Sequence, residues 1–200
     1  TLFVTLAAIQ TSINNEIQNS VPERAPSFFA LDIPRERTAE FSAIVRKEAP
    51  QAEINLIPSL RGTIVEFGGQ RVDQLEELPE GAWVLNGDRG LTYSPQVPKG
   101  SEVIAGEWWP AGYKGPALVS LDIRVAESLA VGVGDSLTVS VLGVEIPTKI
   151  ASLREVKWEN FGLNYALVFS PGTFDAAPHS MVATLTVPAK AERALAKSIP

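Results

Sequence analysis

The chain has 200 residues, 45% hydrophobic and 20% charged, the balance of an ordinary globular core with room for one domain or two small ones. With 17 basic against 23 acidic residues, its net charge of −6 excludes the clustered Lys and Arg that nucleic acid requires, and no aromatic-plus-basic platform of the RNA-binding kind is present. The absence of cysteine excludes disulfides, Cys-based zinc sites and thiol catalysis, and one histidine without a carboxylate cluster at ligand spacing argues against a transition-metal site.

In chain order, Leu2, Leu6, Ile9, Ile13 and Ile17 form a stripe at helical spacing, with Gln10, Asn14, Asn15 and Gln18 on the other face. The opening LFVTLAAI is too short to cross a bilayer, which takes about 20 residues, and lacks the positive flank of a signal peptide. The spacing predicts an amphipathic helix closed by Pro22 and Pro26, either packed on the domain or forming the extramembrane end of a longer helix. The sequence starts at Thr1 without methionine and ends at Pro200 just as a helix begins, so it reads as part of something longer. Phe28 to Ile33 predicts a strand. Residues 37 to 48 predict a helix with Phe41, Ile44 and Val45 on one side, stopped before Pro50. Two further strands are expected, around Glu53–Ile57 and Gly62–Phe67, with Gly68-Gly69 as a turn. Strand, helix, strand is a βαβ or split βαβ signature.

The stretch from residue 85 to 121 is punctuated by glycine and proline and reads as loops with short strands. Arg89, in Gly87-Asp88-Arg89-Gly90, is a candidate anion contact or one half of a structural ion pair holding a turn. Trp108, Trp109 and Tyr113 are the densest aromatic cluster: exposed, a partner or ligand contact; buried, the core of a small subdomain. From Leu118 the order is a short strand, an N-cap at Asp122, a helix to about Ala130, a left-handed cap at Gly132, and from Ser136 a strand of period two. Gly143 turns the chain into a return strand through Val144, Ile146 and Ile150, where Pro147 argues for an edge or bulge. Gly-x-Gly at 132–134 precedes a strand and lacks a following Lys, so no phosphate cradle is predicted. Tyr165–Phe169 and Met181–Val187 predict strands flanking a turn at Ser170-Pro171-Gly172, and 189–198 a helix.

Gly134-Asp135-Ser136-Leu137 resembles the nucleophile block of GDSL-type esterases. In that family the serine follows a buried strand and opens a helix, so that backbone N–H groups meet the oxyanion. Here a helix precedes the motif and a strand follows it. The only histidine, His179, stands four residues after Asp175 where the family has three, and the family's middle blocks have no match. Geometry outranks a four-letter motif, so Ser136 reads as the first residue of a strand and no catalytic residue is assigned.

The succession APSFFALDI, GDRGLTYS, GEWW, PALVSLDIRVAESLAVGVGDSLTVSVLG and SLREVKWENFGLNYALVFSPG, spanning about Ala25 to Pro188, resembles the extracytoplasmic domain of YbbP-type ABC transporter permeases, within the FtsX/MacB-like superfamily. The resemblance implies an α+β fold: a MacB-like periplasmic domain with a porter-like split βαβ module, an inserted β-rich sabre-like subdomain and an N-terminal stalk helix. Residues 1–24 are then the stalk continuing from a transmembrane helix, 25–84 with 158–200 the porter-like module, and 85–157 the insertion. It implies the periplasmic face of a bacterial inner membrane, flanking transmembrane helices, a permease homodimer and a cytoplasmic ABC ATPase subunit whose ATP hydrolysis is transmitted mechanically. A periplasmic esterase and a lipid or acylated cargo are further implied partners. No catalytic, cofactor or metal residue is implied. The alternatives are an esterase using Ser136, Asp175 and His179, and a stand-alone ligand-binding module built on Trp108, Trp109 and Tyr113.

Overall fold

The computed structural model describes residues 26–158 and 163–187. The predicted stalk at 1–24 and the helix at 189–198 lie outside the described residues.

Strand β1 (Phe28–Pro34) leads through a single 3-10 turn into helix α1 (Thr38–Glu48). Glu40 in the first turn and Arg46 and Lys47 in the last complement the helix dipole. Phe41 and Val45, one turn apart, face a small apolar cluster with Ala49, Leu185 and Val187, while Ile44 stays exposed. Strand β2 is a single run, Glu53–Phe67, where the sequence predicted two strands. Next come β3 (Gln70–Arg71), β4 (Arg89–Tyr93), β5 (Ser101–Gly106), β6 (Leu118–Asp122), helix α2 (Ile123–Leu129), β7 (Ser136–Val141), β8 (Val144–Val156), β9 (Leu167–Phe169) and β10 (Ser180–Thr186).

Six of these strands close a barrel. β2 pairs with β4, β4 runs parallel to β9, and β9 is antiparallel to β6. β6 runs parallel to β8, β8 pairs with β7 across a hairpin, and β7 returns to β2. The interior is filled by Leu91, Val119, Leu121, Leu137, Val139, Ile150, Leu167 and Phe169, and α2 adds Val125, Ala126 and Leu129 to the same core. β5 extends the barrel wall beside β8. β10 and β1 continue the sheet from the first half of β2, so that β1, β10 and Glu53–Ser59 make a three-stranded layer under α1.

The α+β expectation is therefore corrected: the described chain is mostly β, built on a closed six-stranded barrel with two short helices, and is not a porter-like split βαβ module. The physical reason lies in β2. It does not stop after one layer but runs on, so most apolar side chains turn into the barrel and α1 covers only a minor cluster.

Gly62, expected to open a separate strand, is a point of close approach inside one. A Cβ there would lie 2.6 Å from the Ser140 carbonyl oxygen and 2.8 Å from Leu91 Cδ1, so only glycine lets β4 and β7 both reach β2. The helix stop is also corrected: Ala130, at φ 51°, takes the left-handed position expected of Gly132, and its N–H reaches the Ala126 and Glu127 carbonyls. The β7–β8 hairpin turns at Leu142 (φ 50°) and Gly143 (φ 82°), the twist that suits antiparallel strands. Pro147 lies in β8 before its pairing with β6 begins at Lys149, which fits the edge reading.

Gly62→Ala is expected to lower stability by about 2–3 kcal/mol, the cost of forcing a methyl group into a closed packing site. A denaturant midpoint unchanged from wild type would contradict the close approach.

Candidate functional site

The structure does not bring the esterase triad together. Asp122 Oδ1 accepts the Arg124 N–H at 2.8 Å and caps α2. After the helix, Asp135 Oδ2 accepts the Gly132 N–H at 2.7 Å and holds the turn that delivers Ser136 to β7. The Ser136 hydroxyl donates to Glu66 Oε1 at 3.1 Å and accepts the Gly69 N–H at 3.2 Å. Its neighbours are thus the end of β2 and the β2–β3 turn.

His179 is engaged elsewhere. Its Nδ1 lies 2.8 Å from the Ala177 carbonyl and its Nε2 lies 3.1 Å from the Tyr93 hydroxyl. A carbonyl only accepts, so Nδ1 carries a hydrogen, and in the neutral ring Nε2 accepts the Tyr93 O–H. Asp175 and His179 share an open cleft of about 670 Å³ with Asp32, Arg35 and Glu36, but Ser136 does not line it.

The aromatic cluster is anchored to the loop after β4. Trp109 is buried and its indole N–H donates to the Ser94 carbonyl at 2.8 Å. Trp108, half-buried, stacks on it with ring centroids 4.0 Å apart and donates to the Pro95 carbonyl at 3.2 Å. Tyr113, also half-buried, closes its own loop by donating to the Pro116 carbonyl at 2.8 Å. Trp109 therefore belongs to the packing, and Trp108 and Tyr113 keep some surface. Arg89 holds a turn, as one reading expected, but through carbonyls: its guanidinium donates to Trp83, Val84 and Asn86 and lies 5.2 Å over the Trp83 ring. Asp88 faces Arg61 instead, at 4.0 Å.

A buried polar group escaped the sequence reading. Arg154, 1% exposed, donates to the Ser120 hydroxyl at 3.0 Å, the Ser101 hydroxyl at 2.9 Å, and the Tyr165 and Ala166 carbonyls at 3.1 and 3.3 Å. Ser152 donates to the same Ser120 hydroxyl at 2.8 Å. Burial pushes Arg154 down to about 10, partly offset by the Asp122 carboxylate, so the guanidinium stays charged at neutral pH. Beside it, Asp122 is buried and accepts the Trp158 indole N–H at 2.6 Å, with Arg124 over the Trp158 ring at 5.3 Å. One signal was legible: Ser152, Arg154 and Val156 alternate along β8, placing a charge at an inward position. The group ties β5, β6, β8 and the start of β9 together. Arg154→Ala is expected to cost about 3–5 kcal/mol, because it leaves several buried acceptors without a donor. Loss of less than about 1 kcal/mol in chemical denaturation would reject that role.

Among the described residues no group of His, Asp and Glu is placed to hold a metal ion, and no helix is long and apolar enough to cross a membrane. No family model matches the chain. It is 25% identical over 179 residues to a protein of Escherichia coli (strain K12) described as "Uncharacterized ABC transporter permease YbbP". The match covers 90% of this chain and 21% of that protein, so the chain spans about a fifth of the relative's length. This similarity relates the chain to an ABC transporter permease.

Proposed function

We propose that the chain is the extracytoplasmic, periplasmic domain of an ABC permease subunit of the FtsX/MacB-like kind. In this reading a cytoplasmic ATPase subunit hydrolyses ATP, a permease dimer transmits the motion, and the domain acts on a hydrophobic or acylated cargo or on a periplasmic partner such as an esterase. The observation that carries the proposal is the similarity to a permease over 90% of the chain.

The exit geometry supports it. β1 and β10 are antiparallel neighbours, the Ser27 N–H donates to the Leu185 carbonyl at 2.7 Å, and the Ser27 hydroxyl lies 3.4 Å from the Val187 carbonyl. Ser27 and Val187 thus lie side by side, the arrangement a domain carried on two adjacent membrane segments needs. Residues 1–24 would link to one of them, and the barrel with its loops would be the part that meets partners. Within that part, Trp108 and Tyr113 are the proposed contacts, backed by the buried Trp109. Ser136 has no catalytic role here, since its hydroxyl is spent on Glu66 and the one imidazole is bonded to Tyr93 and Ala177.

Because the chain lacks cysteine, a single one can report its side of the membrane. In the whole protein, Leu142→Cys at the hairpin tip, 76% exposed, is expected to react with a membrane-impermeant maleimide in intact spheroplasts, against a control without the substitution. Labelling only after lysis would overturn the periplasmic assignment. The isolated chain is expected not to cleave a short-chain acyl ester. Turnover abolished by Ser136→Ala would replace the transport reading with a hydrolase.

A further inference from the structure

Between β3 and β4 the chain is pinned to the barrel core by Val72, Leu75, Val84 and Leu85. Two short 3-10 turns, Val72–Gln74 and Trp83–Leu85, hold the ends of this segment. What it turns outward is one-signed. Asp73, Glu76, Glu77 and Glu80 are exposed, and with them Leu78 and Trp83, at 44% and 45%. Where the segment meets β2 there is a hollow of about 260 Å³. The buried Ile64 and Leu85 and the half-buried Val65 and Val72 line it, with Arg71 and Asp73 beside them.

We propose that this face docks a segment of a partner protein that carries one bulky apolar side chain between basic residues. The apolar side chain fills the hollow, and the basic ones meet Glu76, Glu77 and Glu80. Pockets for free small ligands run from about 300 Å³ upward, so this one suits a single side chain delivered by a protein. A buried anchor of that kind is what interfaces are built around.

The charges choose the partner. Among the described residues Glu76, Glu77 and Glu80 have no ion pair. The cations on the adjoining strands are committed elsewhere. Arg71 bonds Glu145 at 3.0 Å and Asp73 at 3.2 Å, Arg61 faces Asp88 at 4.0 Å, and Arg89 donates to the Trp83, Val84 and Asn86 carbonyls. The field that reaches solvent from this segment is therefore negative, which draws a cationic partner and repels an anionic lipid surface. The walls are also preset: Arg71 is held from two sides, and the Arg89 guanidinium lies 5.2 Å over the Trp83 ring. Groups already fixed cost little to order on binding. This face is separate from Trp108 and Tyr113, and the inference does not rest on the transport reading.

The test is a titration of the ¹⁵N-labelled chain at low salt with the acetylated, amidated peptide Lys-Lys-Phe-Lys-Lys. Amide signals of residues 63–65, 72–80 and 83–85 are expected to shift together and to saturate. Alanine in place of the peptide's phenylalanine should remove the shifts at 64 and 85 and keep those at 76–80. The combined variant Glu76→Gln, Glu77→Gln and Glu80→Gln changes exposed positions only and leaves the core intact. It should weaken binding about tenfold, the scale of three exposed ion pairs. Absence of saturable shifts at these residues would overturn the docking face. So would shifts centred on residues 108–113, equal binding of the peptide with Glu in place of Lys, or unchanged affinity in the triple variant.

Discussion

Fifteen residues of β2 carry two sets of partners, and both cores of the protein depend on that strand staying continuous. Glu53 to Ser59 pairs with β10, while Leu60 to Phe67 pairs with β4, β7 and β3. At about 3.3 Å per residue the strand is about 50 Å long, long enough to serve the outer layer and then the barrel. The outer-layer pairing ends at Ser59, and a little further on, at Gly62, the Ser140 carbonyl and the Leu91 side chain close in from two strands and leave no volume for a side chain. The Thr92 hydroxyl, donating to the Pro58 carbonyl at 2.7 Å, fastens the barrel to the last part of the outer-layer segment.

Inside the barrel wall, a charge performs a task that apolar packing cannot. The strands β6 and β8 run parallel, so no hairpin sets their register, and Arg154 supplies it by bonding Ser120 on β6, Ser101 on β5 and carbonyls at the start of β9. All side-chain polar atoms buried among the described residues find partners. A buried guanidinium is expensive to desolvate, but its fan of N–H donors meets several acceptors at once, which neither Lys nor an apolar residue does. The same region holds Trp158 to Asp122, so the segment leaving β8 is fastened to the N-cap of α2.

The fate of Gly134-Asp135-Ser136-Leu137 shows how a motif and a site differ. Asp135 folds back on Gly132 and Ser136 braces Glu66, so both side chains serve the turn that feeds β7. The histidine that a hydrolase would need is at the joint with β10, its two nitrogens committed to Tyr93 and Ala177. The side chains left with surface include Trp108 and Tyr113 on the β5–β6 loop, and Leu142 and Val144 at the hairpin tip, 76% and 63% exposed.

The sequence by itself determined the local elements. Period-two alternation from Leu137 to Val141, the Asp122 N-cap, the four-residue spacing of Phe41 and Val45, and the turns at Gly68 and Gly143 all state conformations set within a few residues. The helix-before-strand order that disqualified Ser136 was legible for the same reason. Tertiary structure alone decided which strands pair. That β6 lies parallel to β8, that β4 lies parallel to β9, and that β2 meets β7 around Gly62 depend on segments tens of residues apart, and no local pattern records a partner. Hence Gly62 read as the start of a separate strand and Arg154 drew no reading, when one is a contact and the other a clasp. Backbone preference acts over a few residues, whereas closure of a barrel is settled by the mutual exclusion of volume and the pairing of buried polar groups across the whole chain.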